Sequence, residues 1–86
     1  MKDIFGNQLA PGTYFCYSAL HTKRLVMRIG RVTETGAVVV ANDWGRQPDG
    51  SYGYAWRVMP RSRPSSNHLV AMNPAHIPQE VLAVLP

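Results

Sequence analysis

Basic side chains are concentrated in the middle of this sequence, where they could bind an anion. Eight of the nine Lys and Arg residues of the 86-residue chain lie between positions 23 and 63, with only three acidic residues among them. This span has an excess of five positive charges, more than the net charge of +4 of the whole chain. Such a concentration favours phosphate groups or an acidic protein surface as the partner. The eight residues are Lys23, Arg24, Arg28, Arg31, Arg46, Arg57, Arg61 and Arg63.

Six of these arginines are predicted to contact nucleic-acid phosphates or an acidic partner, because they fall on turns, in loops or at outward strand positions. They are Arg24, Arg28, Arg31, Arg57, Arg61 and Arg63. A solvated basic face that only keeps the protein soluble is the alternative interpretation. The sequence does not separate the two.

Aromatic residues recur at two-residue spacing in the segment GSYGYAWR. In a strand, Tyr52, Tyr54 and Trp56 would share one face, opposite Gly53 and Ala55. Each aromatic side chain can bury about 150–250 Å². We therefore expect this face to point into the core, with Trp56 and Tyr54 buried and Tyr52 at the rim.

Trp44 and Tyr52 are the aromatic residues that we predict at a binding surface. They lie at the two ends of the turn-rich segment 43–51, close to Arg46. Aromatic side chains in such a loop can stack on a base or fill a pocket of a partner protein.

The residues that usually carry out catalysis or hold metals are not arranged for either task. His21, His68 and His76 lack the short spacings of metal ligands. Asp43 and Asp49 have the sequence surroundings of turn residues. No nucleophile motif or phosphate-binding loop is present. We therefore expect a protein that is not an enzyme, with no catalytic residue, no metal and no cofactor.

Composition is typical of a cytosolic globular domain. Hydrophobic residues make up 45% of the chain, and no apolar run approaches the roughly 20 residues that cross a bilayer. The N-terminal segment lacks the apolar stretch of a signal peptide, so we expect a cytoplasmic location and no membrane partner. Cys16 is the single cysteine and lies among aromatic residues, where a buried, unreactive thiol is expected.

Period-two alternation predicts the elements that must position these residues. Gly30 interrupts the alternation of the second strand and predicts a β-bulge there. Segments 43–51 and 60–67 are predicted loops, and Pro78 begins a helix of one or two turns. Five short strands joined by tight turns predict an all-β fold, a small antiparallel barrel formed by a single domain over residues 1–86. The predicted strands are 13–20, 25–33, 37–42, 52–59 and 68–72.

The segment VMRIGRVTETGAVVV, residues 26–40, resembles a KOW motif, as found in NusG-type transcription factors and some ribosomal proteins. Gly30 follows an apolar strand, Val32 lies two residues later, and Gly36 precedes a second apolar strand. The resemblance implies an SH3-like barrel that contacts RNA, DNA or RNA polymerase.

The opening DIFGNQLAPGTYFCY, residues 3–17, is similar to small bacteriophage proteins that begin D-x-F-G-N and then lead through a Gly into the first barrel strand. The closing segment HIPQEVLAVL is also similar to the short C-terminal helix of such proteins. The resemblance implies a phage origin and an SH3-like barrel, and it carries no catalytic residue.

Together these features predict a non-enzymatic, phage-encoded SH3-like barrel acting in the host cytoplasm. Its expected partner is nucleic acid or a nucleic-acid-associated host complex such as RNA polymerase. The alternatives are an inhibitor that binds a host enzyme or defence protein directly, and a minor structural component of a virion.

Overall fold

Five β-strands form one antiparallel sheet in the computed structural model, which describes residues 1–85. The remaining elements are 3-10 turns at Pro64–Ser66 and Pro74–His76 and a single turn of α-helix, α1, at Gln79–Leu82. No helix in the described residues has the length and apolar character needed to cross a membrane. The strands are β1 (Tyr14–His21), β2 (Arg24–Thr33), β3 (Gly36–Arg46), β4 (Tyr52–Val58) and β5 (Val70–Met72).

The strand order is β4-β3-β2-β1-β5. The first four strands form a meander of hairpins, and the chain then crosses from one sheet edge to the other to pair β5 with β1. The predicted all-β fold class, with about five antiparallel strands in a small barrel-like arrangement and a short C-terminal helix, is confirmed.

One face of the sheet, which we call face A, packs on the N-terminal segment and on the connection between β4 and β5. Alternate residues of the strands, among them Phe15, Tyr17 and Val39, point to this face and form the first core with Leu9 and Leu69. Phe15 and Leu69 are completely buried. Residues outside the strands therefore cover the sheet on this side.

The opposite face, face B, packs on the C-terminal segment. Ile29 and Val40 from the strands meet Ile77, Val81 and Leu85 in a second core. The 3-10 turn before α1 is capped by Asn73, whose side chain accepts a hydrogen bond from the Ala75 N–H at 3.0 Å. The cap orients the final residues so that Val81, which is completely buried, reaches the sheet.

The predicted β-bulge at Gly30 is wrong. Gly30 pairs in unbroken register with Phe15 on β1 and with Val39 on β3. A Cβ atom on residue 30 would overlap the Phe15 ring and lie 2.9 Å from the Val38 carbonyl oxygen. The glycine is present because the Phe15 ring occupies the space of a side chain, not because the strand changes its phase.

The predicted loop over 43–51 is also wrong in its first half. β3 continues to Arg46, and its last residues pair with β4 as far as Arg46 and Tyr52. The turn itself is confined to the residues between them. The β3–β4 hairpin is therefore longer than the sequence pattern suggests, in a molecule that measures 42 × 28 × 23 Å.

Replacing Gly30 by Ala should destabilise the protein by about 1–3 kcal/mol, because the new methyl group forces the buried Phe15 ring to move. Gly53→Ala is the matched control on the same face, since its Cβ would meet only the flexible amide end of Gln47. That variant should be neutral or more stable by up to about 1 kcal/mol. Urea unfolding of the two variants measures both effects. Equal losses would mean that Phe15 packing does not explain Gly30.

Candidate functional site

Two hairpins separate at one end of the sheet and leave a cleft between them. β2 and β3 pair only from Arg28 and Ala41 to the turn at Thr33 and Gly36. Beyond Arg28, the β1–β2 hairpin and the β3–β4 hairpin continue without pairing to each other. The cleft has a volume of about 470 Å³, and residues 24–27 line one side of it.

Polar contacts cross this cleft at two places. Arg24 Nη1 donates a hydrogen bond to the Tyr54 hydroxyl at 3.3 Å. His21 Nε2 lies 3.9 Å from Asp43 Oδ1, which is an ion pair when His21 is protonated. Asp43 lies in β3 and not in a turn, and the same carboxylate oxygen accepts the Trp44 N–H at 2.9 Å. These two contacts span the open space between the hairpins.

The β3–β4 hairpin displays three aromatic side chains on face B. Trp44, Tyr52 and Tyr54 are 57%, 65% and 56% exposed. Trp44 and Tyr54 are cross-strand partners whose rings meet edge to face, with centroids 5.3 Å apart. We call these three residues the aromatic surface.

The core prediction for Tyr54 is therefore wrong, whereas Trp56 is mostly covered and packs against the second core. Tyr54 lies where the hairpin has passed beyond the C-terminal segment that covers face B. Burial of Tyr54 would require that one face of β4 meets the core along the whole strand. This stretch of the hairpin has no core on either face.

Long polar side chains, rather than a core, cover the face of the hairpin opposite the aromatic surface. The Arg57 guanidinium lies against Gly45, with its Cζ 3.0 Å from where a Cβ would be, and the Gln47 amide lies against Gly53. Two glycines directly opposite each other give these side chains a flat surface. The apolar parts of Arg and Gln side chains can shield a sheet in this way.

The six predicted arginines do not lie on one face. Arg24 belongs to the cleft, and Arg31 points to face B beside Tyr14 and Val38. Arg28 and Arg57 point to face A, where Arg28 Nη1 donates to the Ser62 hydroxyl at 3.2 Å. The Ser62 contact brings the 60–67 loop close to Arg28, and Arg61 and Arg63 are exposed in that loop.

Of the predicted site residues, the structure brings together Arg24, Trp44 and Tyr52 at the cleft end of the molecule. Tyr54 was predicted in the core instead, whereas Arg46, which the sequence places next to the two aromatic residues, is directly opposite Tyr52 on the same face. The sequence shows Gly45 and Gly53 close to these residues, but only the structure shows that the two glycines are paired in a stretch of hairpin without core packing.

The tight turn between β3 and β4 is organised by Asp49. Its Oδ1 accepts the Ser51 hydroxyl at 2.6 Å and the Ser51 N–H at 3.0 Å. These hydrogen bonds, the hydroxyl first, hold the pKa of Asp49 below its ordinary value of 3.8. The turn prediction for Asp49 is confirmed, and the carboxylate fixes the end of the hairpin that carries the aromatic surface.

Side chains of the metal-ligating types are dispersed. No three His, Cys, Asp or Glu side chains within residues 1–85 are grouped so that they could hold a metal ion. Cys16 is partly covered by the second core, and burial raises the pKa of its thiol. A raised pKa keeps the thiol protonated at neutral pH and lowers its reactivity.

Comparison of the chain with protein-family models, with curated protein sequences and with solved structures gives no significant match.

Trp44→Ala should cost no more than about 1 kcal/mol of stability, since the side chain has only a cross-strand partner. Trp56→Ala should cost about 3 kcal/mol, since it empties part of the second core. Urea unfolding followed by circular dichroism measures the free energy of unfolding of both variants of the same protein. Equal losses would show that Trp44 is a structural residue and not part of a free surface.

Ser51→Ala should raise the pKa of Asp49 toward 3.8, because the carboxylate loses its hydroxyl donor. The pKa of Asp3 serves as the internal control, since its hydrogen-bond partners are Phe5 and Asn7. Because the pKa of Asp49 is lower in the folded state, its ionised carboxylate stabilises the fold. This contribution to the free energy of unfolding is complete above the unfolded-state pKa and is lost as the pH falls through the folded-state pKa. A carbon-13 NMR titration of the carboxyl groups measures both residues. An unchanged pKa of Asp49 would contradict the assignment.

Proposed function

We propose that this protein is a non-enzymatic binding module that holds single-stranded nucleic acid on the aromatic surface and in the adjoining cleft. The observation that carries the proposal is the exposure of Trp44, Tyr52 and Tyr54 on one face of a braced hairpin. Bases stack on aromatic rings without regard to sequence, and each stacked base contributes about 1–3 kcal/mol.

The cost of exposing these rings supports a binding role. Three large side chains that could bury apolar area in a small domain are instead held in water. Their backbone is fixed by the register of β3 with β4, and Trp44 is fixed further by its contact with Tyr54. Rings held in place lose little conformational freedom when a ligand stacks on them.

Positive charge lies where a nucleic-acid backbone would pass. Arg46 is opposite Tyr52 on the same face, and Arg24 reaches Tyr54 across the cleft. Lys23 is exposed in the turn at the end of the β1–β2 hairpin. Two or three of these cations can neutralise phosphates of a strand whose bases lie on the aromatic surface.

A single strand is favoured over a duplex. In a duplex the bases are already stacked on each other, so they are not available to aromatic side chains. α1 is a single turn and its Val81 is buried in the second core, so it does not offer a recognition helix for a major groove.

Trp44→Ala should weaken binding of a labelled single-stranded oligonucleotide by about 5- to 150-fold, which corresponds to the loss of one stacked base. Phe5→Ala is the matched control, since Phe5 is an exposed aromatic residue in the N-terminal segment. It should leave the affinity unchanged. Fluorescence anisotropy measures both dissociation constants.

The dependence of binding on salt identifies the phosphate contacts. Two or three contacts to a single strand give a slope of log K against log salt of about −1.4 to −2.1. Arg46→Ala should reduce the size of the slope by about 0.7, while Arg61→Ala should not. If only Arg61→Ala and Arg63→Ala change the slope, the nucleic acid binds at the 60–67 loop instead. No binding at low salt excludes the proposed function.

Direct binding to a host protein is the second candidate function, and exposed aliphatic side chains favour it. Leu20, Leu25 and Met27 lie on face B of the β1–β2 hairpin and are 72%, 76% and 50% exposed. Leu25→Asp should abolish capture of a partner from nuclease-treated host lysate, and Arg61→Ala should not. A phage-encoded inhibitor of a host enzyme or defence protein would behave in this way.

A further inference from the structure

The outer side of β4 is an unpaired edge of the sheet. The strand order places β4 at one end, with β3 as its neighbour on one side. Along an antiparallel ladder, hydrogen-bonded residue pairs alternate with non-bonded pairs. The Met59 N–H donates to the Val39 carbonyl oxygen at 2.8 Å, so the odd-numbered positions of β4 are bonded to β3. The backbone groups of the even-numbered positions point outward, and we call them the β4 edge; they belong to Tyr52, Tyr54, Trp56 and Val58.

The β4 edge lacks the features that usually keep an edge strand from pairing with another chain. Prolines, lysines and β-bulges serve this purpose in many proteins. β4 contains no Pro or Lys and pairs with β3 in unbroken register. Its one charged side chain, Arg57, lies against Gly45 of β3 and therefore does not cover the edge.

One side chain reaches the β4 edge. Gln47 Nε2 donates to the Tyr54 carbonyl oxygen at 3.4 Å, which is at the long end of the range for a hydrogen bond. Within residues 1–85, this is the only hydrogen bond to the outward N–H and carbonyl groups of the β4 edge. Nearly the whole edge is therefore available to another strand.

The residues of the β4 edge also carry the apolar side chains of face B. Tyr52, Tyr54 and Val58 are exposed, and Trp56 is half-buried. A strand added at this edge with apolar side chains on the same face would remove part of this surface from water. A second copy of β4 has such side chains at alternate positions.

The outward positions restrict how two copies of β4 can pair. Outward groups bond only to outward groups, so even-numbered residues must be opposite even-numbered residues. The antiparallel register centred on Ala55 meets this condition and pairs all seven residues of the strand. It places Tyr54 opposite Trp56 of the second copy and Tyr52 opposite Val58. Each of these bonded pairs occurs twice and carries two hydrogen bonds, which gives about eight in total.

Charge is compatible with this register. Like charges directly opposite each other destabilise a strand pair. Arg57 is the one charged residue of β4, and it would be opposite Gly53 of the second copy. At the centre, Ala55 would be opposite its own copy, so only small side chains meet there on face A.

We propose that the β4 edges of two copies pair in the register centred on Ala55 and form a symmetric dimer. The two five-stranded sheets join into one continuous sheet of ten strands. The two-fold axis is perpendicular to the sheet, so face B of both copies lies on the same side. The dimer goes beyond the proposed function and leaves both aromatic surfaces open and side by side. Because each copy uses the same edge, the assembly closes at two copies.

Sedimentation equilibrium without nucleic acid tests the proposal from micromolar to millimolar protein concentration. The mass should double with a measurable dissociation constant. A monomer at every concentration would overturn the proposal and leave the edge to an extended segment of a different protein. A mass that grows beyond two copies would also overturn it, because it indicates that β4 pairs with the other edge of the sheet.

Val58→Pro removes one outward N–H from each copy. Proline is tolerated on an edge strand where the N–H faces solvent. The dimer loses two hydrogen bonds, so its dissociation constant should rise by about 5- to 150-fold. Val58→Ala is the matched control that shortens the side chain and keeps the N–H, and it should change the dissociation constant much less. Equal effects of the two substitutions would contradict backbone pairing at this edge.

Cysteine cross-linking checks the register and does not depend on the proline variant folding. In a non-bonded pair the two Cα atoms are about 4.5 Å apart, which suits a disulfide. Ala55→Cys should therefore form a disulfide-linked dimer on mild oxidation. Gly53→Cys lies on the same face of the same strand, but its two copies are far apart in this register and should not cross-link. Cross-linking of Gly53→Cys in preference to Ala55→Cys, or of the unaltered chain through Cys16, would overturn the proposal. These measurements use no nucleic acid, so the dimer can be established even if the proposed function fails.

Discussion

The length of β3 relative to the residues that cover the sheet determines the rest of the architecture. A sheet has two faces, and each needs a covering layer if both are to be apolar. The N-terminal segment, the β4–β5 connection and the C-terminal segment are short, and they cover only the part of the sheet where β2 and β3 pair. Beyond Arg28 and Ala41 the strands continue as two hairpins in which few side chains, such as Trp56 and Ala19, still pack against a core. Because too few residues cover this end of the sheet, it has exposed aromatic residues, a cleft and a pair of opposed glycines.

Local sequence patterns were sufficient for the meander but not for its limits. Alternating apolar residues identify each of the five strands, and Pro78 correctly precedes the short helix. The end of β3 was predicted at Asn42 because Asp and Gly residues follow it, and these residues favour turns. In the structure, pairing of Trp44 with Tyr54 extends the hairpin through Gly45. A cross-strand contact outweighed local preference, and one sequence does not reveal which residues are opposite each other.

Because one sequence does not give the strand register, only part of the candidate site could be predicted. The sequence identifies the basic span, Trp44 and Tyr52, because charge and aromatic character are properties of single residues. It does not show that Arg28 and Arg57 share a face across Ala41, or that Arg31 points to the other side. Gly30 posed a similar problem, since a glycine in a strand can indicate a bulge or a close neighbour. Only the position of the Phe15 ring distinguishes the two.

The strand order also determines how the chain folds and where it opens. Three of the four strand pairings join neighbours in sequence, so their loops close at small entropic cost. The pairing of β5 with β1 joins Tyr14 to Met72, near opposite ends of the chain, through only three residue pairs. Contacts between residues so far apart in sequence form slowly, because the entropy of closing the loop is lost before the contacts stabilise the fold. We therefore expect β5 to dock after the meander has formed and to detach before it unfolds, so that amide hydrogens at this edge exchange with solvent sooner than those between β2 and β3.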